Sequence, residues 1–378
     1  MAMTSRQRLL AAINGESVDR IPVSPRYWRY AIWKKSSGLE LAKKFGFDYF
    51  EFGSAPLATP LSELCCGTVE TLLPEVKIDI QQQRQGDKTE VERTFHTPAG
   101  KLHDILIQPD AGSVYGVGPN PELKEPLVKT QEDVERLAYL LPASQCVMDN
   151  FHSAHELEAQ VGDDGLVAFR PTVGVDDIVF GSLGPEQVMI LSLTEPEMFN
   201  RIIEIVDDWH MQVMKVVLED GWKLIFDSFF NFSLSTGWSP DFYRQIVAPM
   251  IKRHTDLVHD YGAKTIFYDD GKLANTIDYI IEAGVDIIQT LTPPPCGDLD
   301  FNHLAHTHGG KVCFNGGIDT VRMRFGTPEE IAGKVRELID IFGSTGRFII
   351  GTSDSIPEDT PEENMRALFD TAREYGKR

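Results

Sequence analysis

KTIFYDDGKL (264–273), IDYIIEAGVDIIQTLTPPP (277–295) and GGKVCFNGGID (309–319) carry the reading of this chain. Three short apolar runs, 265–268, 285–290 and 311–314, alternate with amphipathic stretches. Each run ends in polar or glycine residues: Asp269-Asp270-Gly271, Thr292-Pro293 and Asn315-Gly316-Gly317. Continuous apolar runs of this length are buried parallel strands, and the amphipathic stretches are the helices that return the chain between them. In a (β/α)8 barrel the residues just after each strand line the working face. This places Tyr268, Asp269, Asp270, Asn315 and Asp319 near a candidate site.

Working outward, five more strands are expected. They are 20–23, 47–52, 164–171, 222–226 and 347–351, with loops at 24–29, 53–56, 227–230 and 352–355 following four of them. Helices are expected at 4–14, 39–45, 185–193, 196–219, 240–261, 327–342 and 361–375. Thr4 and Gln7 have capping-box spacing, and Thr327-Pro328 opens an acid-rich first turn. The pattern breaks between residues 75 and 107, where VERTFH and LHDILIQ alternate around polar turns. That segment reads as an antiparallel β excursion inserted in the barrel, and helices at 130–140 and 147–160 follow it. Eight strand candidates alternating with helices make a single α/β (β/α)8 TIM-type barrel over 1–378 the economical topology. The runner-up, an open doubly wound sheet, lacks a GxGxxG after any strand.

The totals set bounds on partners. The chain has 378 residues, 42% hydrophobic and 25% charged, with a net charge of −21. Such an acidic chain is not built for nucleic acid or an anionic membrane. The five cysteines form no CxxC, no run of 18 apolar residues occurs, and the first residues have no apolar signal core. A reduced cytoplasmic compartment is the expected location.

The chemistry-bearing residues gather at the predicted strand ends. Arg26 and Arg29 follow the first strand and suit a carboxylate ligand, because guanidinium matches carboxylate geometry. Tyr27, Trp28, Phe229, Phe230, Phe232, Trp238 and Tyr268 cluster at or after strand ends and suit a flat apolar body. Asp227, Asp270 and Asp354 follow three different strands and are expected to converge at the mouth. His210, on the apolar face of the 196–219 helix, reads as structural.

The run from Phe325 to Gly376, FGTPEEIAGKVRELIDIFGSTGRFIIGTSDSIPEDTPEENMRALFDTAREYG, resembles the C-terminal part of the uroporphyrinogen decarboxylase superfamily. HDYGAK, EAGVD, NGGID and the opening RLLAAINGESVDRIPV are similar to blocks of the same superfamily. The resemblance covers most of the chain and implies a (β/α)8 barrel with its site at the C-terminal mouth. The superfamily holds at least two chemistries: metal-free decarboxylation of the acetate arms of a tetrapyrrole, and methyl transfer to or from a corrinoid protein, usually with zinc.

Of the decarboxylase positions only the basic pair Arg26 and Arg29 is kept. Ala55 stands where that branch has an Asp, Thr172 to Asp176 replaces its Gly-Ala-Pro-Trp-Thr segment, Val179 falls near its Tyr, and Ser353 or Asp354 near its His. A macrocycle with eight carboxylates would also be repelled by so acidic a chain. The methyltransferase branch is similar to this chain in ERTFHTPAGKL (92–102). Its His-x-Cys-Gly and late Cys correspond here to Tyr268, Asp270 before Gly271, and Asp354. Thiolate ligands are therefore missing, which argues against thiol activation and for oxygen ligands.

The expectation is a corrinoid-dependent methyltransferase, an O-demethylase component. It would take a methyl group from a small methoxylated, aromatic donor to cobalamin carried by a separate corrinoid protein. In that reading Tyr268, Asp227 and Asp270 are catalytic. Arg26, Arg29, Trp28, Phe230 and Trp238 bind substrate, and Asp270 and Asp354 are the metal ligands for zinc. A cofactor-free decarboxylase of an aromatic or pyrrolic acid, and a non-catalytic ligand-binding barrel, stay open, as does homodimerisation.

Overall fold

The computed structural model describes residues 2–52, 57, 59–61, 72–110 and 121–378. The expected loop at 53–56, with Ala55, and Cys65 and Cys66 lie outside these residues. The backbone groups into two compact units. The first comprises Met1–Gly53, Ser153–Phe169 and Trp222–Arg378, the second Ser54–His152 and Arg170–Gly221.

Among the described residues the first unit contains seven parallel strands and, in the place of the eighth, a single bridge at Val23. Tyr49–Phe52 pairs with Gly165–Ala168, and Leu224–Ser228, Lys264–Tyr268, Ile287–Leu291, Cys313–Ile318 and Phe348–Thr352 pair in sequence order. Single bridges close the ring. Phe169 exchanges backbone hydrogen bonds with Leu224 and Phe226 (2.9 and 2.8 Å). Val23 bridges Ile350, and the Asp48 amide donates to the Val23 carbonyl (2.8 Å). The expected strands at 20–23 and 47–52 therefore complete the barrel, although the first is only a bridge long.

Strand alternation sorts the side chains. Leu166, Ala168, Leu224, Phe226, Ile266, Tyr268, Ile287, Cys313 and Ile349 form one buried cluster with Leu9, Ala12 and Ile13 of the helix Ser5–Asn14. These strand residues face inward, and the N-terminal helix packs into the same core. The helix begins at a complete capping box between Thr4 and Gln7, as the spacing predicts.

A buried carboxylate ties this helix to the barrel. Asp48 is fully buried and accepts from Arg8 Nη1 (2.5 Å), from Arg20 Nη1 and Nη2 (both 2.9 Å) and from the Val23 amide (3.0 Å). Removing one side of such a pair strands buried charge, at a cost of about 3–5 kcal/mol. Asp48→Ala is accordingly expected to lower the urea midpoint by that equivalent. A loss below about 1 kcal/mol, the range of an exposed pair, would show that the clamp does not hold the ring.

The second unit carries the antiparallel excursion. Lys77–Gln85, Lys88–Thr97, Gly100–Pro109 and Glu122–Glu125 form a four-stranded sheet in sequence order. The fully buried Arg93 donates to Asp104 Oδ1 (2.9 Å) and to the Pro60 carbonyl (3.0 Å). The helices of this unit include Val175–Leu183, Pro185–Thr194 and Pro196–Glu219. His210 lies on the buried face of the last of these, hydrogen-bonded to Thr172 Oγ1 (2.7 Å). Among the described residues no helix is long and apolar enough to cross a membrane.

Candidate functional site

Arg26 lies just past the first strand, and its side chain is 17% exposed. Its amide donates to Thr352 Oγ1 (3.1 Å), which ties the loop to the last strand. The guanidinium carbon stands 4.4 Å from the Tyr268 ring centroid and 5.6 Å from that of Phe52. Phe52 packs on Phe226 (4.2 Å between centroids), Phe226 on Tyr268 (5.5 Å), and Phe230 meets Tyr268 edge-on (6.3 Å). Four aromatic rings and one cation thus converge on the C-terminal ends of the strands.

The polar groups meet at the same place. The Tyr268 hydroxyl donates to Asp270 Oδ2 (3.0 Å). Asp354 Oδ1 lies 3.7 Å from Arg26 Nε. That Nε is buried and, among the described residues, meets Asp354 only as an ion pair, with no hydrogen-bond partner. Arg26 Nη1 donates to Gln289 Oε1 (3.4 Å). Beside Arg26, the Tyr27 hydroxyl donates to Glu51, and burial raises the pKa of both groups.

Burial, then the nearby charge of Asp354, holds the Asp270 carboxyl above the ordinary carboxylate range, while the Tyr268 bond and the Arg26 charge oppose this. Burial pushes the Tyr268 phenol well above its ordinary value, so it remains a hydrogen-bond donor. The adjoining Asp269 is fully buried, and desolvation raises its pKa from 3.8 to about 8. Its Oδ1 accepts from the Gly271 amide (2.8 Å), which fixes the turn that presents Asp270.

The proton on Asp269 makes a stability prediction. Between about pH 4 and pH 8 the unfolded chain loses this proton and the folded chain keeps it. Stability contributed by this group therefore falls as pH rises through that window. Asp269→Asn retains an acceptor for Gly271 and removes the titration. Its melting temperature relative to wild type is expected to rise from pH 5 to pH 8, read by scanning calorimetry. A constant difference would show that Asp269 does not titrate there.

Of the residues expected at the site, the structure brings together Arg26, Tyr268, Asp270, Asp354 and Phe230. Others it places elsewhere. Asp227 lies inside the strand Leu224–Ser228, one residue after the inward Phe226, so its side chain faces out of the barrel. It is buried and bonded to His254 Nδ1 at 2.6 Å, in the helix Ala248–Asp260. Trp238 donates to the Asn231 carbonyl (3.0 Å) and stacks on Phe242 (3.8 Å). Trp28 and Arg29 open the helix Trp28–Lys34, where the Arg29 guanidinium lies 5.1 Å from the Trp28 ring centroid. Gln289, Phe52 and Phe226 were not singled out by the sequence. A lone amide in the buried run IIQTL was the signal available for the first.

The uroporphyrinogen decarboxylase (URO-D) family model matches residues 102–375. The chain belongs to the uroporphyrinogen decarboxylase family. Within and around that family, a methylated-thiol–coenzyme M methyltransferase of Methanosarcina mazei is 23% identical, covering 98% of this chain and 90% of its own. A uroporphyrinogen decarboxylase of Mannheimia succiniciproducens is 25% identical over 72% of this chain and 77% of its own. A solved methyltransferase from Methanosarcina mazei superposes with a TM-score of 0.67 over 99% of both chains, at 15% identity, which shows a shared fold.

The methyltransferase side of the resemblance implies zinc, and the residues at the mouth can be tested for it. Catalytic zinc takes three protein ligands. Asp270 and Asp354 belong to no group of three close ligand atoms among the described residues. The Arg26 guanidinium already stands against Asp354, and Tyr268 occupies Asp270 Oδ2. This pair does not fit a zinc centre.

Proposed function

We propose that this protein is a methyltransferase that takes the methyl group of a small methoxylated aromatic acid and delivers it to a corrinoid on a partner protein. The observation that carries the reading is the stack of Arg26 on Tyr268 beside a carboxyl group biased toward its protonated form, Asp270. The Nε–H of Arg26, which makes no hydrogen bond among the described residues, supplies a charge-assisted donor for the acid group beside Asp354. Phe52, Phe226 and Phe230 supply apolar walls for the ring. The relative from Methanosarcina mazei, similar along nearly the whole chain, supports methyl transfer as the reaction class.

In this mechanism the methyl carbon–oxygen bond breaks with its electron pair going to oxygen. The nucleophilic Co(I) corrinoid is the methyl acceptor and enters as a substrate. A departing phenolate is a poor leaving group unless charge on oxygen is neutralised. Asp270, whose carboxyl is raised above its ordinary pKa by burial and then by the charge of Asp354, serves as the proton donor to that oxygen. Tyr268 holds the Asp270 carboxyl through its hydroxyl and presents its ring to Arg26. The barrel supplies orientation of donor and acceptor.

A ligand panel tests the binding half of this reading. Calorimetric titration is expected to show binding of 4-methoxybenzoate and weaker binding of neutral 4-methoxybenzamide. Uroporphyrinogen, with its eight carboxylates, is expected not to bind. Tight uroporphyrinogen binding without affinity for methoxybenzoate would move the assignment to decarboxylation.

A further inference from the structure

The register of the barrel places Tyr268, Gln289, Asn315 and Ile349 side by side on four consecutive strands. In a parallel ladder, residues in one row point to the same face. Tyr268 and Ile349 belong to the inward cluster, so this row is a layer of the barrel interior. Two primary amides in such a layer are unexpected. Gln289 is 7% exposed and Asn315 is 1% exposed, and buried polar groups require partners.

Their partners fix their orientation. Asn315 Nδ2 donates to the Ser24 and Ile349 carbonyls, both at 3.3 Å. Carbonyl oxygens only accept, so the amide cannot be flipped. Asn315 Oδ1 must then face Gln289, and it accepts from Gln289 Nε2 at 2.9 Å. This leaves Gln289 Oε1 as the group presented to Arg26 Nη1. The chain of bonds runs from backbone carbonyls, through two amides, to the guanidinium. Gly351 makes room for it: a Cβ there would lie 2.7 Å from Asn315 Nδ2 and 3.1 Å from the Ser24 carbonyl.

We infer that Asn315 and Gln289 are positioning residues for Arg26, and that this relay sets the preference of the site for an anionic ligand. A neutral acceptor at position 289 matters for that preference. It holds the guanidinium over Tyr268 without adding a second carboxylate to Asp354, which already stands 3.7 Å from Nε, so part of the positive charge stays available to a ligand carboxylate. A carboxylate at 289 would satisfy Arg26 internally. The ligand class rests on the proposed function. The arrangement of Arg26 does not.

The test has a ligand-free arm and a ligand arm. In the first, the Arg26 side-chain Nε–H resonance is assigned in nitrogen-15 spectra by its loss in Arg26→Lys. Gln289→Ala and Asn315→Ala are both expected to move it toward the shift and solvent exchange of exposed arginines. Gly351→Ala, whose Cβ would crowd Asn315 Nδ2 most closely and then the Gly316 amide and the Ser24 carbonyl, is expected to do the same and stands in if Asn315→Ala does not fold. An unmoved resonance in folded Gln289→Ala, or in folded Asn315→Ala or Gly351→Ala, overturns the relay.

In the second arm, Gln289→Glu is expected to weaken 4-methoxybenzoate by about 10-fold or more, the scale of one charge-assisted bond. Binding of 4-methoxybenzamide is expected to be unchanged. Equal loss for both ligands would show a merely structural role and overturn the specificity claim. If wild type binds neither ligand, the proposed function fails, and with it the ligand preference. The resonance arm still decides the relay.

Discussion

Asp270→Asn is expected to lower the single-turnover rate of methyl transfer by about 10²–10⁴-fold, the usual contribution of a positioned general acid. The substitution keeps the size of the side chain and an acceptor for the Tyr268 hydroxyl, so binding should change little. The pH dependence carries the sign. Asp270 works protonated, so the wild-type rate is expected to fall as pH rises through its elevated pKa. Burial is the largest cause of that elevation and the charge of Asp354 the next. Asp354→Asn removes the second cause, so the fall in rate should begin at lower pH. A rate in Asp270→Asn equal to wild type, or a profile that rises with pH, would remove Asp270 from the proton-donor role. Stopped-flow loss of the cob(I)alamin spectrum measures both.

Arg26→Ala is expected to weaken methoxybenzoate by about 10–200-fold, from the roughly 1.5–3 kcal/mol of a hydrogen bond to a charged group. The neutral benzamide should be much less affected. Arg26→Lys is expected to recover only part of the loss. Lysine restores charge but not the planar fork, and it stacks less well on Tyr268. The reach of Arg26 is set by its surroundings: Tyr268 beneath it, Phe52 to one side, Asp354 beside Nε and Gln289 at Nη1. Unchanged methoxybenzoate affinity in a folded Arg26→Ala protein, measured by calorimetry, would break the link between this residue and the ligand's acid group.

Most of the barrel was legible because its strands are buried on both faces and so stand out as continuous apolar runs. Lys264–Tyr268 and Ile287–Leu291 lie within or close to their expected ranges. Arg26, Asp270, Tyr268 and Asp354 were legible for the same reason, since residues after such runs fall at the mouth. Asp227 shows the limit of that reasoning. The apolar run was expected to end at Phe226, which would leave Asp227 in a loop. The strand continues to Ser228, paired residue by residue with Lys264–Tyr268. Alternation then turns Asp227 away from the interior and toward His254. Two residues of strand length decided which side of the sheet the carboxylate took.

Arg29 shows a different limit. Sequence proximity to Arg26 suggested a pair acting together, but a helix begins at Trp28. The Arg29 amide is held by Ser355 Oγ (3.0 Å), and its guanidinium lies against Trp28. The amide relay was not legible from composition. Gln289 and Asn315 become partners only through the register of two strands, and periodicity alone does not give register.

The decisive measurement follows one methyl group. Donor labelled with carbon-13 at the methoxy carbon, and separately at the carboxyl carbon, is mixed with the protein and cob(I)alamin. The account predicts methyl label on cobalt, one equivalent of 4-hydroxybenzoate, and carboxyl label retained in that product. Release of the carboxyl label as carbon dioxide, with the methoxy group intact and no need for cobalamin, would contradict it.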